Sequence, residues 1–155
     1  MSQLSKHISM AEFCYSDTAK RKGIDNSVTD PKHLADAKNL CEKVFEPIRE
    51  HFGKPIKLSS GYRSLALNKA IPGSSKTSQH CLGQAMDIDG DILGGVSNKD
   101  IFNFVKDNLE FDQMIWEFGT TSNPDWVHIS LKPTGNRKQI LKASRVNGKT
   151  IYTAY

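Results

Sequence analysis

Cysteine is scarce: Cys14, Cys41 and Cys81 cannot all pair with one another. With no disulfide framework, a reducing site of synthesis is expected. Long apolar runs are missing too. None approaches the roughly 20 residues needed to cross a bilayer, so membrane insertion is not expected. The segment Met1 to Met10 has no apolar stretch after its lysine, whereas a secretory signal needs about 7–15 such residues. A product made in the cytoplasm without a signal peptide is expected. Internal repeats and low-complexity segments are absent. Charge of one sign is only in slight excess, 21 Lys and Arg against 17 Asp and Glu, a net +4. That balance suits polyanionic surroundings without selecting one. No aromatic residues interleave with the basic ones as nucleic-acid stacking requires, so no nucleic-acid partner is expected.

What is present suffices for one folded domain over residues 1–155. Hydrophobic residues make up 37% of the chain and charged residues 25%, enough for a core and a solvated surface. Thr29-Asp30-Pro31 marks a helix start, with Asp30 capping free amides and Pro31 suited to the first position. Leu34, Ala37, Leu40, Cys41, Val44, Phe45 and Ile48 recur at spacings of three and four. They form a core-facing stripe on a helix that Gly53 can cap. Pro47 is discordant and predicts a kink or split near the end of that helix. Shorter helices are expected over Met10 to Cys14 behind Ser9, over Ser64 to Ala70, and over Asn98 to Asn108 behind Ser97.

Strands are expected over Lys54 to Ser59, Gln84 to Asp89, Phe111 to Phe118 and Trp126 to Leu131. A loop rich in glycine and serine, Pro72 to Ser78, leads into Gln79-His80, and Gly119 to Pro124 is a turn-rich connection. Asn147-Gly148 between two β-rich runs signals a two-residue hairpin. The mixture predicts an α+β fold, a small antiparallel β-sheet flanked by helices.

Strand alternation sorts the polar residues. Ala85, Asp87 and Asp89 share one face, and Met86 and Ile88 the other. Trp126, His128 and Ser130 oppose the apolar Val127, Ile129 and Leu131, while Gln113, Ile115 and Glu117 oppose Met114, Trp116 and Phe118. Three neighbouring strands can therefore present Asp87, Glu117 and His128 together, with His80 just before the turn that feeds the first. Two imidazoles and a carboxylate around an open position suit a zinc ion, which lowers the pKa of a bound water to about 7. A further carboxylate outside the ligand set, Glu117 or Asp125, can then move the proton.

Ser78-Gln79-His80-Cys81-Leu82-Gly83-Gln84-Ala85-Met86-Asp87 fits the pattern S-x-H-x-x-G-x-A-x-D. At these residues the sequence resembles the zinc D-alanyl-D-alanine carboxypeptidase family. That family includes carboxypeptidases, dipeptidases and phage endolysins, and it shares a metal-site architecture with hedgehog domains. Ser59 to Ser64 resembles its S-G-Y-R-S segment. Phe111-Asp112-Gln113 through Glu117-Phe118, then Trp126 to Ser130, resembles its closing segment. The likeness runs from about Leu4 to Ile140 and is closest to short, single-domain members often encoded by phages.

The resemblance implies a hedgehog/DD-peptidase-like fold and Zn2+ held by His80, Asp87 and His128. It implies that Arg63 binds a substrate carboxylate or the developing oxyanion. Ser78 is a further substrate-binding candidate, and so is Trp126, which shares the strand face of His128 and has packing as its alternative role. Some branches place the base three residues before the last histidine, here Asp125, and others upstream, here Glu117. The extra residues Thr120 to Pro124 separate the two, and alternation favours Glu117. The implied function is hydrolysis of peptide bonds in bacterial peptidoglycan by a monomer. It would act at the cell wall after phage-type release. The alternative is a non-catalytic metal-binding recognition domain on the same architecture. His7, His33 and His51 take the plainer reading of solvated or hydrogen-bonded side chains. Cys81 and Trp116 are expected to pack, and Lys132, Arg137 and Lys138 to form a solvated face.

Overall fold

The computed structural model describes residues 2–72 and 74–155, so Met1 and Gly73 of the serine-rich loop lie outside it. Ser9 and Ser16 cap two short helices, α1 (Met10–Phe13) and α2 (Asp17–Lys22), each accepting a hydrogen bond from a first-turn amide. The second was not expected from periodicity. The apolar stripe after Asp30 becomes α3 (Pro31–Leu40), a wider π turn (Cys41–Phe45) and α4 (Glu46–Phe52), which runs to Gly53 at φ 64°. Pro47 splits the helix without ending it. The Glu46 amide reaches back to the Cys41 carbonyl, so the missing donor and the ring fall beside the wider turn.

Six strands form one sheet among the described residues: β1 (Lys57–Ser60), β2 (Ala85–Asp89), β3 (Gln113–Glu117), β4 (Trp126–Ser130), β5 (Gln139–Val146) and β6 (Lys149–Ala154). Their spatial order is β1-β2-β4-β3-β5-β6. Two more helices, α5 (Leu65–Ala70) and α6 (Asn98–Asn108), begin at the serine caps Ser64 and Ser97. The architecture is α+β.

The sheet departs from a purely antiparallel one, because β3 and β5 run parallel. After β4 the chain crosses the end of β3 and re-enters on its far edge. The crossover is tied at Asp112, which is fully buried. Arg137 grips its carboxylate with Nε at 3.0 Å and Nη2 at 2.8 Å, and Lys132 lies 3.6 Å away. Lys132 and Arg137 are thus structural partners rather than members of a free basic face. At the other end, Asn147 and Gly148 both take positive φ, 52° and 76°, as the hairpin turn between β5 and β6 requires.

One face of the sheet is core. Met86, Ile88, Met114, Trp116, Val127 and Ile129 pack in a single cluster with Leu40, Phe45, Ile48, Ile101, Phe102 and Val105 of the helices. Burying such a face supplies most of the driving force for folding, about 1.5–3 kcal/mol per large side chain. It also leaves the opposite pleat of β2, β4 and β3 free to carry polar groups.

Candidate metal centre

Register brings the expected residues together. Asp87 on β2 pairs with His128 on β4, which pairs with Ile115 on β3, while Glu117 pairs with Trp126. Residues paired across strands point to the same side. Asp87, His128 and Glu117 therefore share the face opposite the core, with Glu117 as the diagonal neighbour of His128, about 7 Å away.

His80 reaches the same point from a single 3-10 turn, Gln79–Leu82. Ser78 caps that turn, its hydroxyl oxygen accepting the His80 amide hydrogen at 3.2 Å. Gly83 closes it at φ 74°, and a Cβ there would sit 2.4 Å from the His33 carbonyl oxygen of α3. Gln84 then donates to the buried Asp36 of α3 at 2.8 Å. The turn is clamped to the long helix on both sides, which aims His80 at the sheet.

His80 Nδ1 donates to the Gly61 carbonyl oxygen at 2.6 Å. That bond leaves Nε2 as the bare lone pair. Nε2 is buried, makes no hydrogen bond, and faces Asp87 Oδ1 at 3.4 Å. A lone pair opposite a carboxylate oxygen is an arrangement that a cation between them satisfies. His128 Nδ1 lies 2.9 Å from the same Oδ1. One ligand atom from each of His80, Asp87 and His128 falls within 4.8 Å of the others. Two nitrogens and an oxygen are the donor set that zinc prefers, so the residues fit that metal.

Electrostatics agree with ligation. Burial pushes the His80 pKa down, favouring the neutral ring that binds metals. Burial opposes charge on Asp87, but the His80 and His128 imidazoles, which are cationic when protonated, outweigh it and hold the carboxyl well below the usual range. Glu117 behaves oppositely. Burial lifts it to about 7, with His128 and Arg63 pulling down and Asp87 pushing up. A carboxyl poised near neutrality is suited to moving protons.

Arg63 joins the group. Its Nη2 lies 3.9 Å from Asp87 Oδ2, and Nη1 donates to Asn68 Oδ1 at 3.3 Å. Trp126 is half-buried on the metal face, its ring 5.5 Å from that of Phe118. Asp125 is exposed and lies just outside β4, in the segment ahead of Trp126. Its backbone is what the fold uses, the amide donating to the Glu117 carbonyl at 2.9 Å.

Other titratable groups have plain partners. His7 hydrogen-bonds Glu46, His51 stacks on Phe104 and His33 sits beside Asp30. Burial pushes the Cys81 thiol up, away from a reactive thiolate.

Two supporting residues escaped the sequence reading. A Cβ on Gly61 would lie 2.3 Å from the Phe13 carbonyl oxygen, so only glycine lets that backbone approach α1 while accepting from His80. Asn98, fully buried, accepts from the Gly90 amide and donates to Asp89 and to the Pro124 and Asp125 carbonyls at 3.0–3.2 Å. It fastens the loop ahead of β4 to the end of β2. The glycine in Ser60-Gly61-Tyr62-Arg63 was a readable signal, whereas nothing local marks Asn98.

Residues 6–130 match the family model described as Peptidase M15. No curated protein matches the chain.

Proposed function

The chain belongs to the peptidase M15 family of metallopeptidases, and on that premise we propose that it is a zinc peptidase hydrolysing peptide bonds of bacterial peptidoglycan. It acts as a D,D-carboxypeptidase or an endopeptidase of the phage endolysin kind. The observation that carries this reading is the orphaned, buried His80 Nε2 facing Asp87 and His128, with Glu117 on the same sheet face.

His80, Asp87 and His128 would hold the metal, which when bound supplies Lewis acidity and an acidified water. Gly61 keeps His80 in the tautomer whose Nε2 is free. Glu117 takes up a proton on its carboxylate and delivers it to the departing amine nitrogen. Its burial supports that role, because a carboxyl near pH 7 can both accept and release a proton. Arg63, steadied by Asn68, offers a fork of donors to a substrate carboxylate or carbonyl oxygen. Peptide is the substrate class the family implies. No helix of the described residues is long and apolar enough to cross a membrane. We take the enzyme to work as a monomer at the cell wall after phage-type release.

Digestion of purified peptidoglycan by the zinc-loaded chain, with mass spectrometry of the fragments, tests the reading. Newly cut stem or cross-bridge peptides, absent after chelation and in Glu117→Gln, are the expected result. Zinc binding without any cleavage would point instead to a recognition domain.

A further inference from the structure

The C-terminal hairpin β5–β6, residues 139–154, lies beyond the matched residues 6–130. Register nonetheless carries it onto the metal face. Glu117 pairs with Ala143, and Ala143 pairs with Tyr152. These three form a row alongside Asp87, His128, Ile115 and Leu141. Ala143, short and fully buried, lies between Glu117 and Tyr152. At a strand spacing of about 4.8 Å, Tyr152 stands about 10 Å from Glu117 between Cα atoms.

Tyr152 is 54% exposed and therefore open to a ligand. Its phenol is raised first by partial burial and then by the charges of Glu117 and Asp87, which places it in the field of the centre. Arg145 lies two residues beyond Ala143 on the same face and is exposed. Its guanidinium rests over the Phe118 ring, 4.9 Å from the centroid. Arg63 and Arg137 have Asp87 and Asp112 as partners, whereas among the described residues Arg145 has no carboxylate. A depression of about 600 Å3 opens beside it, lined by Phe118, Thr120, Asp125, Lys142, Ala143 and Arg145.

The hairpin is a wall rather than a loose tail. On its other face Tyr155 packs 4.9 Å from Phe102 and 5.9 Å from Trp116, and its amide donates to the Ile140 carbonyl.

We propose that this hairpin carries a substrate subsite of the metal centre, in which Tyr152 hydrogen-bonds the peptide and Arg145 holds one of its carboxylates. The proposal rests on the peptidase reading above. An extended peptide covers about 3.3–3.6 Å per residue, so one lying across the metal reaches Arg145 two or three residues from Glu117. A guanidinium ordered over an aromatic ring presents a planar fork that suits a carboxylate. The phenol supplies a single donor to a peptide carbonyl.

The test uses the full zinc-loaded chain on purified peptidoglycan and on stem peptides released from it, with carboxylates free or converted to methyl amides. Arg145→Ala is expected to raise KM for the free-carboxylate peptide about three- to tenfold and to leave the amidated peptide unchanged. Tyr152→Phe is expected to raise KM for both by a similar factor. The kcat, zinc content and unfolding midpoint of each variant should stay at wild-type values. An active wild type whose two variants keep its KM on every substrate overturns the subsite alone. A KM rise that tracks zinc loss or unfolding overturns it too, by assigning the effect to the fold. A wild type inert on all substrates overturns the peptidase reading and the subsite with it.

Discussion

Replacing Glu117 with glutamine removes a buried charge while keeping the shape of the side chain, and its consequence depends on pH in a calculable way. Burial is the largest influence on Glu117 and lifts its carboxyl from the ordinary 4.5 to about 7. At about 1.4 kcal/mol per pH unit, that displacement is worth about 3 kcal/mol. Below pH 4.5 the carboxyl is protonated whether the chain is folded or not, and it costs nothing. Between 4.5 and 7 the unfolded chain sheds the proton first, so stability falls as pH rises. Above 7 the whole penalty is present. The metal-free Glu117→Gln protein should therefore match wild type near pH 4.5 and exceed it by up to about 3 kcal/mol at pH 8.

Urea unfolding of chelator-treated protein at pH 5 and pH 8 measures this directly. With a slope of about 2 kcal/mol/M, the midpoint of the variant should lie about 1–1.5 M above wild type at the higher pH. Comparing variant with wild type at each pH isolates the effect of position 117 from what the two proteins share. Adding zinc should shrink the advantage, since a nearby cation favours the charged carboxylate. The same variant should retain zinc yet lose about 10²–10⁴ in hydrolytic rate. A stability difference that is the same at pH 5 and pH 8 would refute the reasoning, because it would mean that Glu117 titrates as an ordinary surface acid.

The remaining expectations concern the surroundings of that carboxylate. Asp125→Asn, measured at equal zinc content, should keep most of the activity, because its side chain is exposed and sits outside β4, whereas Glu117 is buried on the strand face of His128. A dead Asp125→Asn beside an active Glu117→Gln would reverse the assignment. Protein purified without added metal should carry one zinc per chain by elemental analysis, and His80→Ala/His128→Ala should carry none. Asn98→Ala should cost about 2–3 kcal/mol in denaturant unfolding by stranding the Gly90 amide and two loop carbonyls. A loss within 0.5 kcal/mol, the usual range for surface changes, would show that the loop ahead of β4 holds without it.

The fold was legible where one local rule acted alone. The stripe from Leu34 to Ile48, opened by Asp30-Pro31, specified the long helix, and Asn98 to Asn108 matched its observed bounds. Asn147-Gly148 specified the hairpin because only residues tolerant of positive φ fit that turn. The α2 helix was invisible to periodicity, since its one buried residue, Ala19, makes no stripe. What announces it is the pairing of Ser16 as first cap with Gly23 as last. The parallel β3–β5 contact was out of reach for a different reason. Alternation tells which side a residue faces and nothing of strand direction. The direction is settled by a crossover whose anchor, Asp112 with Arg137, joins residues 25 apart in sequence.

The same division runs through the site. Membership of the metal face follows from counting in twos, which placed Asp87, His128 and Glu117 together. Orientation does not follow from counting. Which nitrogen of His80 is free depends on the Gly61 carbonyl, 19 residues upstream, and that carbonyl is available only because a residue without a Cβ can press against Phe13. The position of Tyr152 depends on two successive registers, β3 with β5 and β5 with β6, neither of which its own neighbours encode. Residues that touch a metal must be of a few chemical types at fixed spacing, so they leave a pattern. Residues that aim those ligands, or that form the far wall of a cleft, need only occupy the right point in space. Many sequences achieve that, and it becomes visible only once the strands are paired.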